Sequence, residues 1–435
     1  VKMRRDRNGR SHLGGGRIVL AFAGSLLILL AFSGCAALGL SSNGLKAPEA
    51  PTLIRIDEPN PYRDLASVRA FDQLHTAMAE MKEGVLADAE TEREAYEGMR
   101  AILRVLAMSI DTAADANHKA PHFARMDTKI RKVGGDNPDA EYDNIKLDNE
   151  WDYVILGNVG SVRHLSFTIN GSRGADGRAG KLGYFNERTL KPDADGKFEI
   201  HLTKEDDGGE NWVDTSEGVS GILVRQYIGD REKEVLATYD ISVVGREPDS
   251  EIPYSTDGEV ARGIVGTTYG MKYMLTMHRT IMPQMWDSPN EFARLNSDDF
   301  GADISSSDNL YMLGTYQVAE DEALVIETEP LDVRYWNLAI ESRWHESVDY
   351  ATRRTHRSMD DVTIDADGKL RFVLAHGKTP HPNWLDTGGH VEGFMTFRWV
   401  GERDSETPTP TVIRVKRADV PAVLAERIEM GGDGR

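Results

Sequence analysis

The pentapeptide Asp-Ala-Asp-Gly-Lys occurs twice in the chain, and this repetition constrains the fold more than any other feature. The copies begin at Asp193 and Asp365, and an Asn-Trp-x-Asp-Thr motif follows eighteen residues after each start. Further pairs recur at offsets of 171 to 173 residues: Asp136-Asn137 with Asp308-Asn309, Gly98-Met99 with Gly270-Met271, and Arg225 with Arg398. Repetition at one offset predicts an internal duplication in which each copy forms a structural unit.

The N-terminal segment predicts export from the cytoplasm. Its first seventeen residues carry six basic side chains and one acid, an apolar run from Ile18 to Phe32 follows, and the run ends in Ser33-Gly34-Cys35. This pattern resembles a bacterial lipoprotein signal, with residues 1–35 as signal peptide, Cys35 as the lipidated residue and the lipid as membrane anchor. An uncleaved spanning anchor and an ordinary signal are the alternatives, because the apolar stretch continues to Leu40. All of these place the globular part outside the cytoplasm, in the periplasm or at the cell surface.

Composition narrows the range of partners. Cys35 is the only cysteine, so a disulfide framework or a multi-cysteine metal site is excluded. Without residues 1–35 the net charge changes from −20 to −25, which makes nucleic acid and anionic membrane surfaces poor partners. Residues 36–62 are rich in Ser, Asn, Gly and Pro and predict a tether between the membrane and the folded part.

The hydrophobic pattern predicts an α+β fold that is mainly β. Helical spacing of apolar residues is followed in each copy by short runs of β-type residues separated by Gly, Asp and Asn. The strand-like runs do not alternate with helical runs along the chain. This pattern favours an antiparallel β-sandwich of jelly-roll type over a parallel sheet. The predicted domains are a first helix-plus-sandwich unit at 63–250, a second at 251–417 and a C-terminal tail at 418–435.

The repeated motifs resemble those of bacterial proteins that carry the domain of unknown function 1214. The resemblance rests on the two motifs with the arginine that follows each, and the second copy fits more fully through Tyr335-Trp336-Asn337 and Glu346-Ser347-Val348-Asp349-Tyr350. It covers roughly 95–415 and suggests tandem copies of the domain. The resemblance implies a jelly-roll sandwich; the family has no agreed activity, so no catalytic residue is transferred.

Residues that both copies share are interpreted as a structural signature: Asn211, Trp212, Asp214 and Arg225 in the first copy, and Asn383, Trp384, Asp386 and Arg398 in the second. Asp-x-Asp-Gly before a strand predicts a hairpin turn rather than a calcium loop, in which the glycine would come sixth. The tryptophans are expected to fill the core. The two arginines lie in apolar strands and, if buried, need carboxylate partners, for which Asp214 and Asp386 are the expected candidates.

Residues that only the second copy has are the candidates for chemistry. His345, Glu346, Asp349 and His390 have the side chains of a metal site or of a general acid and base, whereas the first copy has Arg173-Gly174-Ala175 and Glu217-Gly218 at the corresponding places. The alternative is a polar cluster that is hydrogen-bonded to a loop.

Two hypotheses of function follow. In the first, the protein is a noncatalytic cell-envelope lipoprotein that binds a small molecule, a glycan or a partner protein, with oligomerisation left open. In the second, it is an extracytoplasmic hydrolase or lyase that acts on a small substrate through His345 and His390. No sequence motif indicates a cofactor.

Overall fold

The computed structural model describes residues 60–173, 179–247, 250–280, 283–296, 306–401 and 407–432. The predicted signal peptide, Cys35 and nearly all of the predicted tether lie outside these ranges. The helices are α1 (Ala66–Asp88), α2 (Glu92–Ser109, continued by a π-helical turn at Ile110–Ala114), α3 (Asp257–Leu275), α4 (Met277–Thr280) and α5 (Val420–Gly432). Within the described ranges, no helix has the length and apolar character needed to cross a membrane.

The first unit contains two β-sheets. The strands are β1 (Ala124–Arg125), β2 (Ala140–Lys146), β3 (Tyr153–Asn158), β4 (His164–Arg173), β5 (Ala179–Asn186), β6 (Lys197–Thr203), β7 (Trp212–Asp214), β8 (Val219–Tyr227) and β9 (Thr238–Val243). One sheet has the order β1-β2-β8-β4-β5 and the other has the order β7-β6-β3-β9. Adjacent strands are antiparallel except β6 and β7, which are parallel.

The second unit repeats this arrangement. Its strands are β10 (Ala293–Asn296), β11 (Asn309–Gln317), β12 (Glu322–Thr328), β13 (Tyr335–Glu341), β14 (His356–Ser358), β15 (Leu370–Ala375), β16 (Trp384–Asp386), β17 (Glu392–Val400) and β18 (Thr411–Lys416). The sheet orders are β10-β11-β17-β13-β14 and β16-β15-β12-β18, with β15 and β16 parallel. Each strand therefore has a counterpart at the same position in the other unit, which supports the predicted duplication.

Each pair of sheets encloses one hydrophobic core. In the first unit, alternate residues of β4, such as Phe167, pack with Ile155 and Ile200 of the opposite sheet. In the second unit, Leu338 of β13 packs with Phe372 of β15 in the same way. Strand residues point alternately to the two faces of a sheet, so the period-two pattern read from the sequence identifies the core-facing side. The prediction of a mainly β fold with a few helices is confirmed.

The opposite faces of the two five-stranded sheets are polar and lie against each other. The rings of Tyr227 and Tyr335, one from each unit, are 5.1 Å apart. Asn309 donates to the Tyr227 hydroxyl at 2.7 Å, and the Tyr335 hydroxyl lies 3.2 Å from the Asn137 side-chain oxygen, to which it donates. The repeated Asp-Asn pairs therefore help to join the two units.

The helices from both units form one layer. α1, α2 and α3 share a cluster that includes Met81, Ala101 and Met271, and Trp344 of the β13–β14 loop is buried in it. Asp257, at the start of α3, accepts hydrogen bonds from the backbone of α1 at Ala66 and Ser67. Each helical segment precedes its own sandwich along the chain. The apolar faces of the helices bury one another and bring α2 to the edge of the second sandwich.

Candidate functional site

A pocket of about 380 Å³ lies where α2 meets three loops. The loops are the segment before β2, the β13–β14 connection and the β16–β17 connection. Six basic and three acidic side chains line it together with one histidine, so we call it the basic pocket: Arg93, Arg100, Arg104, Lys129, Lys132, Arg353, Glu97, Glu346, Asp349 and His390. The chain as a whole has a net charge of −20, whereas this pocket has more basic than acidic side chains.

Helix α2 supplies four charged side chains of the pocket from one face. Arg93, Glu97, Arg100 and Arg104 are spaced by four, three and four residues, which places them above one another on a helix. The helix begins with a capping box in which the Thr91 hydroxyl accepts from the Glu94 N–H and the Glu94 carboxylate accepts from Thr91. This cap fixes where the helix begins and so fixes the register of the arginines.

His390 and Glu97 form a buried pair at one side of the pocket. His390 Nε2 lies 2.7 Å from Glu97 Oε2, and the other ring nitrogen lies 3.0 Å from the Thr387 carbonyl oxygen. Burial raises the pKa of Glu97, but the hydrogen bond and charge of His390 together with Arg93 outweigh burial and lower it overall. Glu97 is therefore ionised at neutral pH and neutralises part of the basic wall.

Glu346 faces Arg104 across the pocket. Arg104 donates to Glu346 Oε2 at 3.0 Å, and both side chains are largely buried. Burial raises the pKa of Glu346 to about 7 in spite of Arg104, with a further contribution from Asp136. A buried carboxyl group that is half ionised at neutral pH can hold or release a proton, which is the property expected of a functional group.

Asp349 and Lys132 complete the pocket from the loops. The Thr352 hydroxyl donates to Asp349 at 2.5 Å, and this bond is the main cause of a lowered pKa at Asp349. Lys132 is buried, and burial lowers its pKa, an effect that Asp136 opposes. Its ammonium group lies 3.9 Å from the centre of the Tyr350 ring.

Three of the four predicted site residues meet in the basic pocket, and His345 does not line it. His345 Nδ1 lies 2.5 Å from Glu341 Oε2, and its ring packs against Phe394 at 5.0 Å. The structure therefore does not bring His345 into the pocket that His390 lines. Among the described residues, no group of three His, Cys, Asp or Glu is arranged to hold a metal ion.

The shared motifs have the structural role that was predicted for them. Asp193 accepts from the N–H groups of Asp195 and Lys197, and Gly196 has a φ of 79°, a left-handed conformation that glycine adopts readily. The Asn211 amide donates to the carbonyl oxygens of Lys191 and Glu199, and Asn383 donates in the same way to those of Thr363 and Arg371. The motifs therefore close the turns of the repeated unit.

The tryptophans of the signature do not fill the core as predicted. Trp212 and Trp384 are only half-buried; Trp212 donates to the Thr203 hydroxyl at 2.8 Å, and the Arg354 guanidinium lies 5.2 Å from the Trp384 ring. Both residues lie in three-residue strands at the edge of a sheet, where a side chain of this size reaches solvent.

The buried arginines do not pair with the motif aspartates. Arg398 donates to Glu341 at 3.1 Å, and Arg225 donates to the Thr168 hydroxyl at 3.1 Å. Asp214 is exposed and binds the Ser216 N–H, while Asp386 pairs with Arg353 at 3.1 Å. The arginines point to the junction between the units, whereas the motif lies in the other sheet of each sandwich.

Sequence reasoning missed most of the basic residues of the pocket. Arg93, Arg100 and Arg104 are at helical spacing in the sequence, and this signal could have identified a basic helix face. The position of α2 against the second unit could not be obtained from the sequence, because the contact joins residues about 250 positions apart, as in the bond between Trp344 and the Glu94 carbonyl oxygen.

Comparisons with known proteins give a family match in one unit and no activity. Residues 316–402, within the second unit, match the model of the family described as "Protein of unknown function (DUF1214)". The match covers one copy, so the expected tandem pair of family domains is not confirmed.

One solved structure supports the fold. An uncharacterised protein from Burkholderia cenocepacia is 24% identical, with a TM-score of 0.75 over 81% of this chain and 98% of its own. A Vibrio parahaemolyticus protein is 13% identical, with a TM-score of 0.45 over 73% of this chain and 96% of its own. A search of curated proteins found no significant match. The first similarity shows that the chain shares its fold with a known protein; it says nothing about ligand or reaction.

Proposed function

We propose that the protein is an extracytoplasmic lipoprotein that binds a small molecule with carboxylate, phosphate or sulfate groups in the basic pocket. The observation that carries the proposal is the excess of basic over acidic side chains in one pocket of an acidic chain. Attraction between charges is stronger in a partly enclosed pocket than in open water, so such a site concentrates anions. A neutral glycan would gain no charge–charge attraction from this arrangement.

Two basic residues are best placed to meet a ligand first. Lys129 is exposed, and Arg100 is half exposed and lies 3.5 Å from the nearest carboxylate oxygen of Glu97. A guanidinium group can bind a carboxylate or phosphate through two parallel hydrogen bonds, whereas an ammonium group acts as a point charge. Arg93 and Arg104 already bind carboxylates and would hold the deeper part of the ligand.

Calorimetric titration of the purified full-length protein with sulfate and with succinate tests the proposal. The double variant Arg100→Ala/Lys129→Ala is expected to weaken binding of both anions by about tenfold or more, since it removes two charge-assisted contacts. The matched control is Lys191→Ala/Lys272→Ala, which changes the net charge equally but lies outside the pocket. Equal weakening in both variants, or no binding by the wild type, would contradict a local anion site.

The location outside the cytoplasm is supported by the N-terminal signal pattern and by Cys35 at its end. If Cys35 carries the lipid, Cys35→Ser releases the protein from membranes into the soluble fraction. Continued membrane association of that variant would instead favour an uncleaved anchor.

We further propose that both units are copies of the same family domain, each a sandwich of jelly-roll type. The identical strand orders and the shared turn motifs support this assignment. An experimental structure in which the two units do not superpose strand by strand would overturn it.

A further inference from the structure

Ser347 lies in the wall of the basic pocket between an acid and a base. Its hydroxyl donates to Asp136 Oδ2 at 2.5 Å and accepts from the Lys132 ammonium group at 3.1 Å. The Ser347 N–H also donates to Asp136, at 2.9 Å. The three residues are more than nine-tenths buried, and both Ser347 and Lys132 line the pocket.

Two loops from different units hold this centre in place. The Gly135 N–H donates to the His345 carbonyl oxygen at 2.6 Å, and Arg398 donates to the Gly135 carbonyl oxygen at 2.5 Å. His345 has a φ of 58°, a left-handed conformation that is uncommon for residues other than glycine, and it lies two positions before Ser347. Backbone strain of this kind persists where surrounding contacts fix it, and it often occurs at functional sites.

The duplication provides an internal comparison. Asp308, which corresponds to Asp136, binds Arg334 at 3.0 Å and Asn186 at 2.7 Å, so its carboxylate is used in an ion pair. The residue that corresponds to Ser347 in the first copy, 171 positions earlier, is Asp176, so the first copy has no serine there. The serine is therefore present in the second copy alone, and the first unit supplies Asp136 and Lys132 to the same centre.

We propose that Ser347 is the nucleophile of an acyl-transfer reaction on an ester whose acyl group carries a second, anionic carboxylate, with Asp136 as general base. This inference rests on the proposed function, because the basic pocket must first hold the anionic part of the substrate. Serine becomes an effective nucleophile when an adjacent base accepts its proton. A carboxylate 2.5 Å from the hydroxyl is within reach of that proton.

In the first step, Ser347 Oγ forms a bond to the acyl carbon while its proton passes to Asp136. The bond from that carbon to the alcohol oxygen then breaks, and the alcohol leaves with the proton that Asp136 held. In the second step, the water oxygen forms a bond to the acyl carbon while Asp136 accepts the water proton. The bond from that carbon to Ser347 Oγ then breaks, and the proton passes from Asp136 to Ser347 Oγ. The products are the alcohol and the dicarboxylic acid, and no other reactant is needed.

The environments of Asp136 and Lys132 suit a general base and a cation beside the serine. Full burial raises the pKa of Asp136, which makes its carboxylate a stronger base than an exposed one. The Lys132 ammonium group donates to the Val348 carbonyl oxygen at 3.3 Å and faces the Tyr350 ring, and both contacts favour its charged form. A cation beside Ser347 Oγ favours loss of the hydroxyl proton to Asp136.

The test uses 4-nitrophenyl hydrogen succinate with the purified full-length protein. A burst of 4-nitrophenolate is expected, together with a succinyl group on the tryptic peptide that contains Ser347. Ser347→Ala should abolish both, and Asp136→Asn should slow the burst by about 100-fold, a typical contribution of a general base. Ser358→Ala, a serine of β14 outside the pocket, should leave the burst unchanged.

The outcomes separate this proposal from the proposed function. Succinate binding without an acyl adduct, or an adduct on another residue, would overturn the catalytic assignment and leave anion binding intact. Absence of succinate and sulfate binding would overturn both. Should Ser347→Ala fail to fold, as judged by its thermal transition, the adduct site in the wild type still decides the question.

Discussion

Glu346 is a side chain of the basic pocket whose charge changes with pH near neutrality. Burial raises its pKa from 4.5 to about 7. The folded state therefore holds this proton more tightly than the unfolded state does, so the stability that Glu346 contributes is greatest at low pH and falls as pH rises from about 4.5 to about 7. The charged groups that face it are Arg104 and Arg100 of α2 and Asp136 of the loop before β2.

We expect anion affinity to follow the charge of Glu346. Protonation removes the partner of Arg104 and leaves its guanidinium group for the ligand. Sulfate, whose charge is constant over this range, should bind about fivefold more tightly at about pH 6 than at about pH 8, since an ion pair of this kind corresponds to about 1 kcal/mol. Calorimetric titration at the two pH values measures the ratio.

The variant Glu346→Gln imitates the protonated state and should bind sulfate tightly at both pH values. Glu92→Gln, on the same helix but outside the pocket, is the matched control and should keep the wild-type ratio. An unchanged ratio in Glu346→Gln would assign the pH dependence to another group.

At the residue scale, the sequence predicted candidates better than it predicted contacts. Glu346, Asp349 and His390 were singled out because only the second copy has them, and they line one pocket. The partners of Arg225 and Arg398 were predicted wrongly, since side-chain partners depend on which sheet face a strand presents to the other unit. Tertiary packing determines which sheet face a strand presents to the other unit, and the local spacing of residues in the sequence does not reveal it.

At the scale of elements, Gly98 determines how closely α2 approaches its neighbours. A Cβ atom at this position would lie 2.3 Å from Val85 Cγ1 of α1 and 2.8 Å from the Trp344 ring. Such distances are far below van der Waals contact, so α1 and the β13–β14 loop would have to move. The repeated Gly98-Met99 pair thus has a packing reason in the first copy.

We expect Gly98→Ala to destabilise the protein by about 1 to 3 kcal/mol, the usual cost of overpacking a core. Gly84→Ala in α1 is the matched comparison, because the nearest atom to its Cβ would be Arg279 Nη2 at 3.8 Å. That variant should be neutral or stabilising by up to about 1 kcal/mol through helix propensity. Denaturant unfolding measures both, and similar effects of the two changes would contradict the packing argument.

Periodicity predicted the elements more completely than their arrangement. Helices, short strands and the turns at the repeated motifs follow from local rules of spacing and turn chemistry. Duplication predicts that the two units have the same order of strands in their sheets. It does not predict which order that is. The single helical layer was also missed, because it depends on apolar faces of α1, α2 and α3 that can bury one another as well as they can cover a sheet.

At the scale of the molecule, the polar sheet faces and the helical layer both join the two units. Chain contacts group Tyr62–Arg435 into one compact body. Asn309 and Tyr227 link the polar sheet faces, and Trp344 of the second unit inserts into the helical layer, where its indole donates to the Glu94 carbonyl oxygen at 2.9 Å. Loss of either unit would expose the helical cluster and leave buried polar groups of the junction without partners.

The whole of this body is therefore expected to unfold in one cooperative transition. Far-ultraviolet circular dichroism, which reports both helices and strands, and tryptophan fluorescence should give coincident curves in guanidinium chloride. Trp344→Ala should shift both curves together by about 3 to 5 kcal/mol, because it opens a cavity in the shared layer. Trp384→Ala, at a half-buried sheet edge, is the control and should have a smaller effect. If Trp344→Ala instead separates the two curves, the sandwiches are independent folding units and the basic pocket is assembled only after each has folded.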